Sequence, residues 1–105
     1  PMETSVKLAP GDIAGLEKLL RERGIFERYG LERIGVYGSF ARGEDYRDVD
    51  LLLDPYLDYR VRMQMKAELE ELLQTKVDLV VRELMDPIVM YRAKKDLKYA
   101  SQSEE

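Results

Sequence analysis

Residues Ile34 to Asp54 read Ile-Gly-Val-Tyr-Gly-Ser-Phe-Ala-Arg-Gly-Glu-Asp-Tyr-Arg-Asp-Val-Asp-Leu-Leu-Leu-Asp. The apolar run Ile34 to Tyr37 stops at Gly38-Ser39, the pattern of a strand ending in a turn. Eight residues separate Ser39 from Asp48-Val49-Asp50, which passes directly into Leu51, Leu52 and Leu53. Side chains on a strand alternate faces, so Asp48 and Asp50 share one face while Val49 and Leu51 take the other. Two carboxylates so placed repel each other unless water or a cation lies between them. A hard, oxygen-preferring ion such as Mg²⁺ suits that position.

The elements on either side set the fold class. Pro10-Gly11-Asp12 precedes Ile13, Leu16, Leu19 and Leu20, whose spacing predicts an amphipathic helix ending near Gly24. Residues 25–30 read as a connection anchored by Phe26 and Tyr29, and residues 31–37 as the first strand. Gly38 to Arg47 is a loop with a helical turn over Ser39 to Arg42. Residues 48–53 form the second strand, ended by Asp54-Pro55 because proline has no amide hydrogen to donate. Val61, Met65, Leu69, Leu72 and Leu73 mark a helix over about 58–74, with Met63 and Met65 as core filling.

Val77, Leu79 and Val81 alternate along a third strand that contains Asp78. Asp86-Pro87 opens a last helix, with Met85, Val89, Ala93 and Leu97 as its expected buried face and Lys94, Lys95 and Lys98 near its end. The loop between the first two strands is too short for a parallel crossover. The expected fold is therefore α+β: a three-stranded mixed or antiparallel sheet in a single domain, with helices mainly on one face. Residues 12–100 form its ordered core, and 1–9 and 101–105 are expected to be flexible ends.

Composition narrows the chemistry. The chain has 105 residues, 45% hydrophobic and 36% charged, with a net charge of −4. Those proportions fit a globular domain. Cysteine and histidine are both absent, which removes thiolate chemistry, disulfides, ordinary zinc sites and the commonest general base. The acidic balance argues against a long nucleic-acid partner. Without an apolar run of about 20 residues or a signal-peptide pattern, the sequence reads as cytoplasmic and free of membrane spans.

Asp78 completes a possible constellation. If the third strand pairs beside the second in suitable register, Asp78 joins Asp48 and Asp50. Three convergent carboxylates can hold two Mg²⁺ ions about 3.5–4 Å apart, an arrangement suited to in-line phosphoryl or nucleotidyl displacement. Gly38 allows close backbone approach to a triphosphate, Ser39 offers a hydroxyl, and Arg42 offers a guanidinium fork. Plainer roles stand beside these. Asp48 and Asp50 fit a solvated loop mouth, Asp78 an ion pair with Arg82 or Arg33, Ser39 a helix N-cap, and Arg42 an ordinary surface position. Glu44, Asp45 and Asp54 read as solvated.

Gly38-Ser39, Ala41-Arg42-Gly43, Asp48-x-Asp50 and Asp78, in that order, resemble the nucleotidyltransferase fold of the polymerase-β superfamily. The Gly-Ser-Phe-Ala-Arg-Gly-Glu wording and the small size are most similar to its minimal nucleotidyltransferases, the MNT group. The resemblance covers about residues 12–100. It implies Asp48, Asp50 and Asp78 as catalytic metal carboxylates, Gly38 and Ser39 as triphosphate contacts, and ATP with Mg²⁺ as reactants. It also implies a HEPN ribonuclease toxin as partner, neutralised by AMP placed on a tyrosine. Two alternatives are an antitoxin that acts by binding alone and a small-molecule nucleotidyltransferase. The chain departs from the group at Arg47, where serine or threonine is usual, and in a spacer about two residues shorter.

Overall fold

The computed structural model describes residues 10–103. In chain order the elements are α1 (Ile13–Glu22), α2 (Ile25–Tyr29), β1 (Arg33–Tyr37), α3 (Gly38–Arg42), β2 (Asp48–Leu53), α4 (Tyr59–Leu73) and β3 (Lys76–Val81). A 3₁₀ turn (Arg82–Leu84), α5 (Pro87–Ala93) and β4 (Lys98–Ser101) follow. The sheet has the order β3-β2-β1-β4. β1 runs antiparallel to both β2 and β4. β2 and β3 are parallel, with α4 as their crossover.

Local chemistry explains the starts and stops. Asp12 caps α1 by accepting from the Gly15 amide at 2.8 Å, and Asp58 caps α4 by accepting from Val61 at 3.0 Å. Asp86 does the same for α5, accepting from Ile88 at 2.8 Å, with Pro87 in the first turn. Gly24 (φ 68°) and Gly30 (φ 67°) take left-handed backbone at either end of α2. This short helix occupies the stretch expected to be a connection.

The period-two pattern divides the sheet into two faces. On the first, Ile34, Val36, Val49, Leu51, Leu53, Val77, Leu79, Val81 and Ala100 pack under Leu16 and Leu20 of α1, Phe26 of α2, Phe40 of α3 and Met65, Leu69 and Leu73 of α4. Each fully buried leucine, isoleucine or phenylalanine there contributes about 1.5–3 kcal/mol through removal from water. On the second face, Tyr37, Leu52 and Val80 meet Met85, Met90, Ala93 and Leu97, so among the described residues α5 and its flanks cover that side.

The expected α+β class, the mixed sheet and helices mainly on one face hold, with α5 alone among the described helices on the other, but the sheet has four strands. The last helix ends at Ala93, and Lys98–Ser101 pairs with β1 through Arg33↔Ser101 to Val36↔Lys98. Ser101 is therefore a sheet residue, whereas the flexibility expected of 1–9 and 104–105 falls outside the described residues. Val89, expected on the buried face of α5, is 44% exposed, and Met90 takes the inward position. Among the described residues no helix is long and apolar enough to cross a membrane.

Candidate active site

Strand parity and pairing together bring the aspartates to the second face. Asp50 is the register partner of Tyr37 on β1 and of Asp78 on β3. Asp48 lies two residues before Asp50, opposite Lys76 of β3. Tyr37, Asp50 and Asp78 thus form a row across three strands, with Asp48 beside it toward the N-terminal end of β2. Asp50, on a central strand, is partly buried, while Asp48 and Asp78 are exposed.

This placement alters the chemistry of the row. Burial, and then the nearby charges of Asp78 and Asp48, push the Asp50 carboxyl up to about 6; Arg42 opposes that shift. Burial likewise pushes the Tyr37 hydroxyl well above the ordinary tyrosine range, reinforced by Asp78 and Asp50. In the sequence Tyr37 stands out only as the last residue of an apolar run. The alternation of Ile34 and Val36 was the available signal that Tyr37 faces the carboxylates.

Gly38 lies immediately against Asp50. Its φ is 78°, and a Cβ there would sit 2.2 Å from Asp50 Oδ2. Only glycine lets the turn from β1 into α3 pass this close to the carboxylate. Ser39 falls inside the first turn of α3; the capping position belongs to Tyr37, which makes no side-chain cap. The N-cap expectation for Ser39 is therefore corrected: it stands two residues past the cap. Its backbone amide and hydroxyl nonetheless sit one residue beyond the Gly38–Asp50 contact.

Arg42, at the end of α3, is already engaged. Its Nη1 donates to Asp96 Oδ2 at 2.6 Å, and its Nε lies 3.1 Å from Glu44 Oε1. A phosphate contact from Arg42 would compete with these acids. Glu44 and Asp54, expected to be solvated, both hold arginines. Asp54 accepts from Arg33 at 2.7 Å and from Arg82 at 3.0 Å. Those are the two arginines considered as partners for Asp78, and both are directed to Asp54 instead. Asp96 had no signal in the sequence as the partner of Arg42, because 54 positions separate them.

The donor set suits a hard divalent ion in kind: carboxylate oxygens only, crowded enough to hinder ionisation of the central one. Among the described residues, however, no three acidic side chains gather into a ready-made metal cluster. The residues therefore fit Mg²⁺ by chemistry and by shared face, not by a closed cage.

A strand ending in a glycine turn and short helix, then two aspartates on an antiparallel neighbour and a third on the parallel strand beyond, defines a nucleotidyltransferase-type domain. The polymerase beta, nucleotidyltransferase family model matches residues 23–102, and the chain belongs to that family. A Methanocaldococcus jannaschii protein provisionally named a protein adenylyltransferase (MJ0128) is 31% identical over 94 residues, covering 83% of this chain and 96% of that one. The protein adenylyltransferase MntA of Thermococcus cleftensis is 42% identical over 62 residues, covering 53% and 61%. The solved structure of a tri-AMPylated Shewanella oneidensis HEPN toxin in complex with MNT antitoxin contains a similar chain, with TM-score 0.56 and 22% identity. That match covers 84% of this chain and 74% of the other. At that identity it speaks for the fold.

Proposed function

We propose that this chain is a protein adenylyltransferase that acts as an antitoxin, transferring AMP from ATP to a hydroxyl of a HEPN toxin. The observation that carries the reading is the meeting of Gly38, Asp48, Asp50 and Asp78 on one face, with Asp50 in register with Asp78 and pressed against Gly38. The adenylyltransferase names of the similar proteins supply the acceptor class. The toxin in the related complex supplies the partner class.

In this reading Asp48, Asp50 and Asp78 would hold Mg²⁺, which when bound neutralises charge between the triphosphate and the carboxylates. Gly38 keeps the backbone low enough for phosphate oxygens to approach, and the amide and hydroxyl of Ser39 donate to them. Arg42, shared with Asp96 and Glu44, stands at the far end of α3 as a secondary phosphate contact. The acceptor oxygen bonds to the α-phosphorus as the bond to the bridging oxygen breaks. Pyrophosphate leaves, and the hydroxyl proton passes to solvent. No part of the scheme requires histidine or cysteine.

The site is an open sheet face beside α5, which favours a protein acceptor over a small one. Docking of a second surface supplies the orientation that an enclosing pocket would otherwise give. The test is incubation of the chain with ATP, Mg²⁺ and its HEPN-domain partner, followed by intact mass. A gain of AMP units on the partner is expected, and should disappear with Asp48→Ala/Asp50→Ala while the complex persists. A double variant that neutralises the toxin as well as the parent would instead support the binding-only reading. The absence of a closed carboxylate cluster among the described residues gives that reading its footing.

A further inference from the structure

Four of the six large hydrophobic side chains exposed among the described residues lie within eight positions: Leu84 (56%), Ile88 (65%), Val89 (44%) and Tyr91 (69%). Singly exposed apolar groups need no explanation, but four in one short stretch, with Ile88 and Tyr91 three apart on the same helix, do. These residues form the 3₁₀ turn and the outer side of α5. The inner side is fully used, with Met90 and Ala93 packed toward Tyr37 and Leu52. A seven-residue helix has thus kept apolar groups on both sides, whereas burial on the sheet requires only one.

Charge sharpens the pattern. The chain carries −4 overall, yet Arg92, Lys94 and Lys95 place three exposed cations at the end of α5. Lys95 Nζ lies 5.4 Å from the centre of the Tyr91 ring, so the apolar cluster and the cations are contiguous. Exposed tyrosine and arginine at an apolar patch are the residue types that anchor protein interfaces.

The patch also leads to the site. Immediately beyond α5, Asp96 holds Arg42 of α3, and the first residue of α3 is the glycine pressed against Asp50. A partner seated on α5 would therefore lie along the border of the open carboxylate face.

We infer that the outer side of residues 84–95 is the docking surface for the acceptor protein, and that it fits a partner surface apolar at its centre and acidic at its rim. The inference rests on the adenylyltransferase reading. It adds where the acceptor sits and which chemistry selects it. The apolar centre disfavours a nucleic-acid occupant, whose phosphates would find only the cationic end.

The test compares the parent with Ile88→Ser/Tyr91→Ser and with Lys94→Glu/Lys95→Glu. Melting temperature and Mg²⁺-dependent ATP affinity serve as controls for fold and nucleotide site. Affinity for the HEPN-domain acceptor is measured by calorimetry. Loss of two anchoring side chains should weaken it about a hundredfold, and AMP attachment at limiting acceptor should fall with it. The charge reversal should cost about tenfold at low salt, with the gap narrowing as salt rises.

Acceptor affinity within about threefold of the parent for both variants would overturn the docking surface. If AMP attachment persisted there, the adenylyltransferase reading would stand. A parent that binds the acceptor through α5 but never modifies it would support the surface and sink the transferase reading. A parent that neither binds nor modifies it would remove both. Light scattering that shows a dimer broken only by the α5 variants, with acceptor affinity unchanged, would assign the patch to a second copy and overturn the inference.

Discussion

Asp50 is a carboxylate whose ionisation its surroundings oppose, and its position explains why. It has Gly38 against its carboxylate and acidic neighbours at Asp48 and Asp78. Because its folded-state value is raised to about 6, it favours folding most when protonated. That contribution is complete below the ordinary carboxylate range and is lost as pH rises through about 6. Asp50→Asn should therefore stabilise the protein in chelator at pH 7–8. Allowing for solvent screening at a half-exposed group, the gain is about 1–2 kcal/mol, or several degrees in Tm, and it should vanish near pH 4. Thermal melts at the two pH values check this; a sharp loss of stability at pH 8 would show that the ionised carboxylate holds the fold together.

Gly38 gives the complementary case. Gly38→Ala meets both a φ of 78° and the Asp50 oxygen. It should cost about 1–3 kcal/mol and displace the carboxylate. AMP transfer should consequently suffer more than with Ser39→Ala, where one hydroxyl contact of about 1–3 kcal/mol is at stake. Single-turnover rates of the two variants test the ranking.

Among the elements, the second face is governed by how closely the segment between α5 and β4 approaches β1. A Cβ on Gly35 would lie 2.9 Å from Leu97 Cδ1, 3.2 Å from Leu52 Cβ and 3.3 Å from the Leu52 carbonyl oxygen. The Leu97 methyl can move; the β2 backbone cannot. Gly35→Ala should therefore cost about 1–3 kcal/mol through overpacking and loosen α5, seen as faster amide exchange over residues 87–97. This contact also shows which elements the sequence made legible. β1, β2, β3 and α4 carry apolar runs or recurrences long enough to read, and each lies within two or three residues of its expected bounds. Because Asp48 and Asp50 sit at i and i+2, their common face could be read directly. Asp78 could be joined to them only on condition of a suitable register, because sequence periodicity does not state which residues of two strands stand opposite; the parallel pairing Asp50↔Asp78 meets that condition. β4 was hidden because Lys98 to Ser101 is four residues of mixed polarity, and Leu97 continued the helical spacing of Met85, Val89 and Ala93 across a turn. The Arg42–Asp96 contact depends on that same missed return of the chain, whereas Arg33 and Arg82 reach Asp54 because the β1–β2 and β2–β3 registers bring the strand ends together. α2 was hidden for a different reason: five residues between two glycines are too few to show a period.

The whole molecule poses an electrostatic problem that its proposed substrate would worsen. A chain of net charge −4 presents three aspartates on one face, and a nucleoside triphosphate brings several more negative charges. Among the cations near the site, Arg42 is already shared by Asp96 and Glu44. Ser39 and the backbone amides beside Gly38 can bind phosphate oxygens, but they do not neutralise them. ATP in chelator should therefore bind at least tenfold more weakly than ATP with Mg²⁺, since divalent ions place positive charge between the two acidic parties. The difference should shrink in Asp48→Ala/Asp50→Ala, where two of the three aspartates that repel the triphosphate and would hold the ion are gone. Linkage makes the same comparison visible in melting: Mg²⁺ and ATP together, at about a hundred times their dissociation constant, should stabilise the parent by about 2.7 kcal/mol. The double variant should gain much less. Calorimetry that finds equal ATP affinity with Mg²⁺ and with chelator would mean that the nucleotide sits away from the aspartates, and the carboxylate row would lose its assigned role.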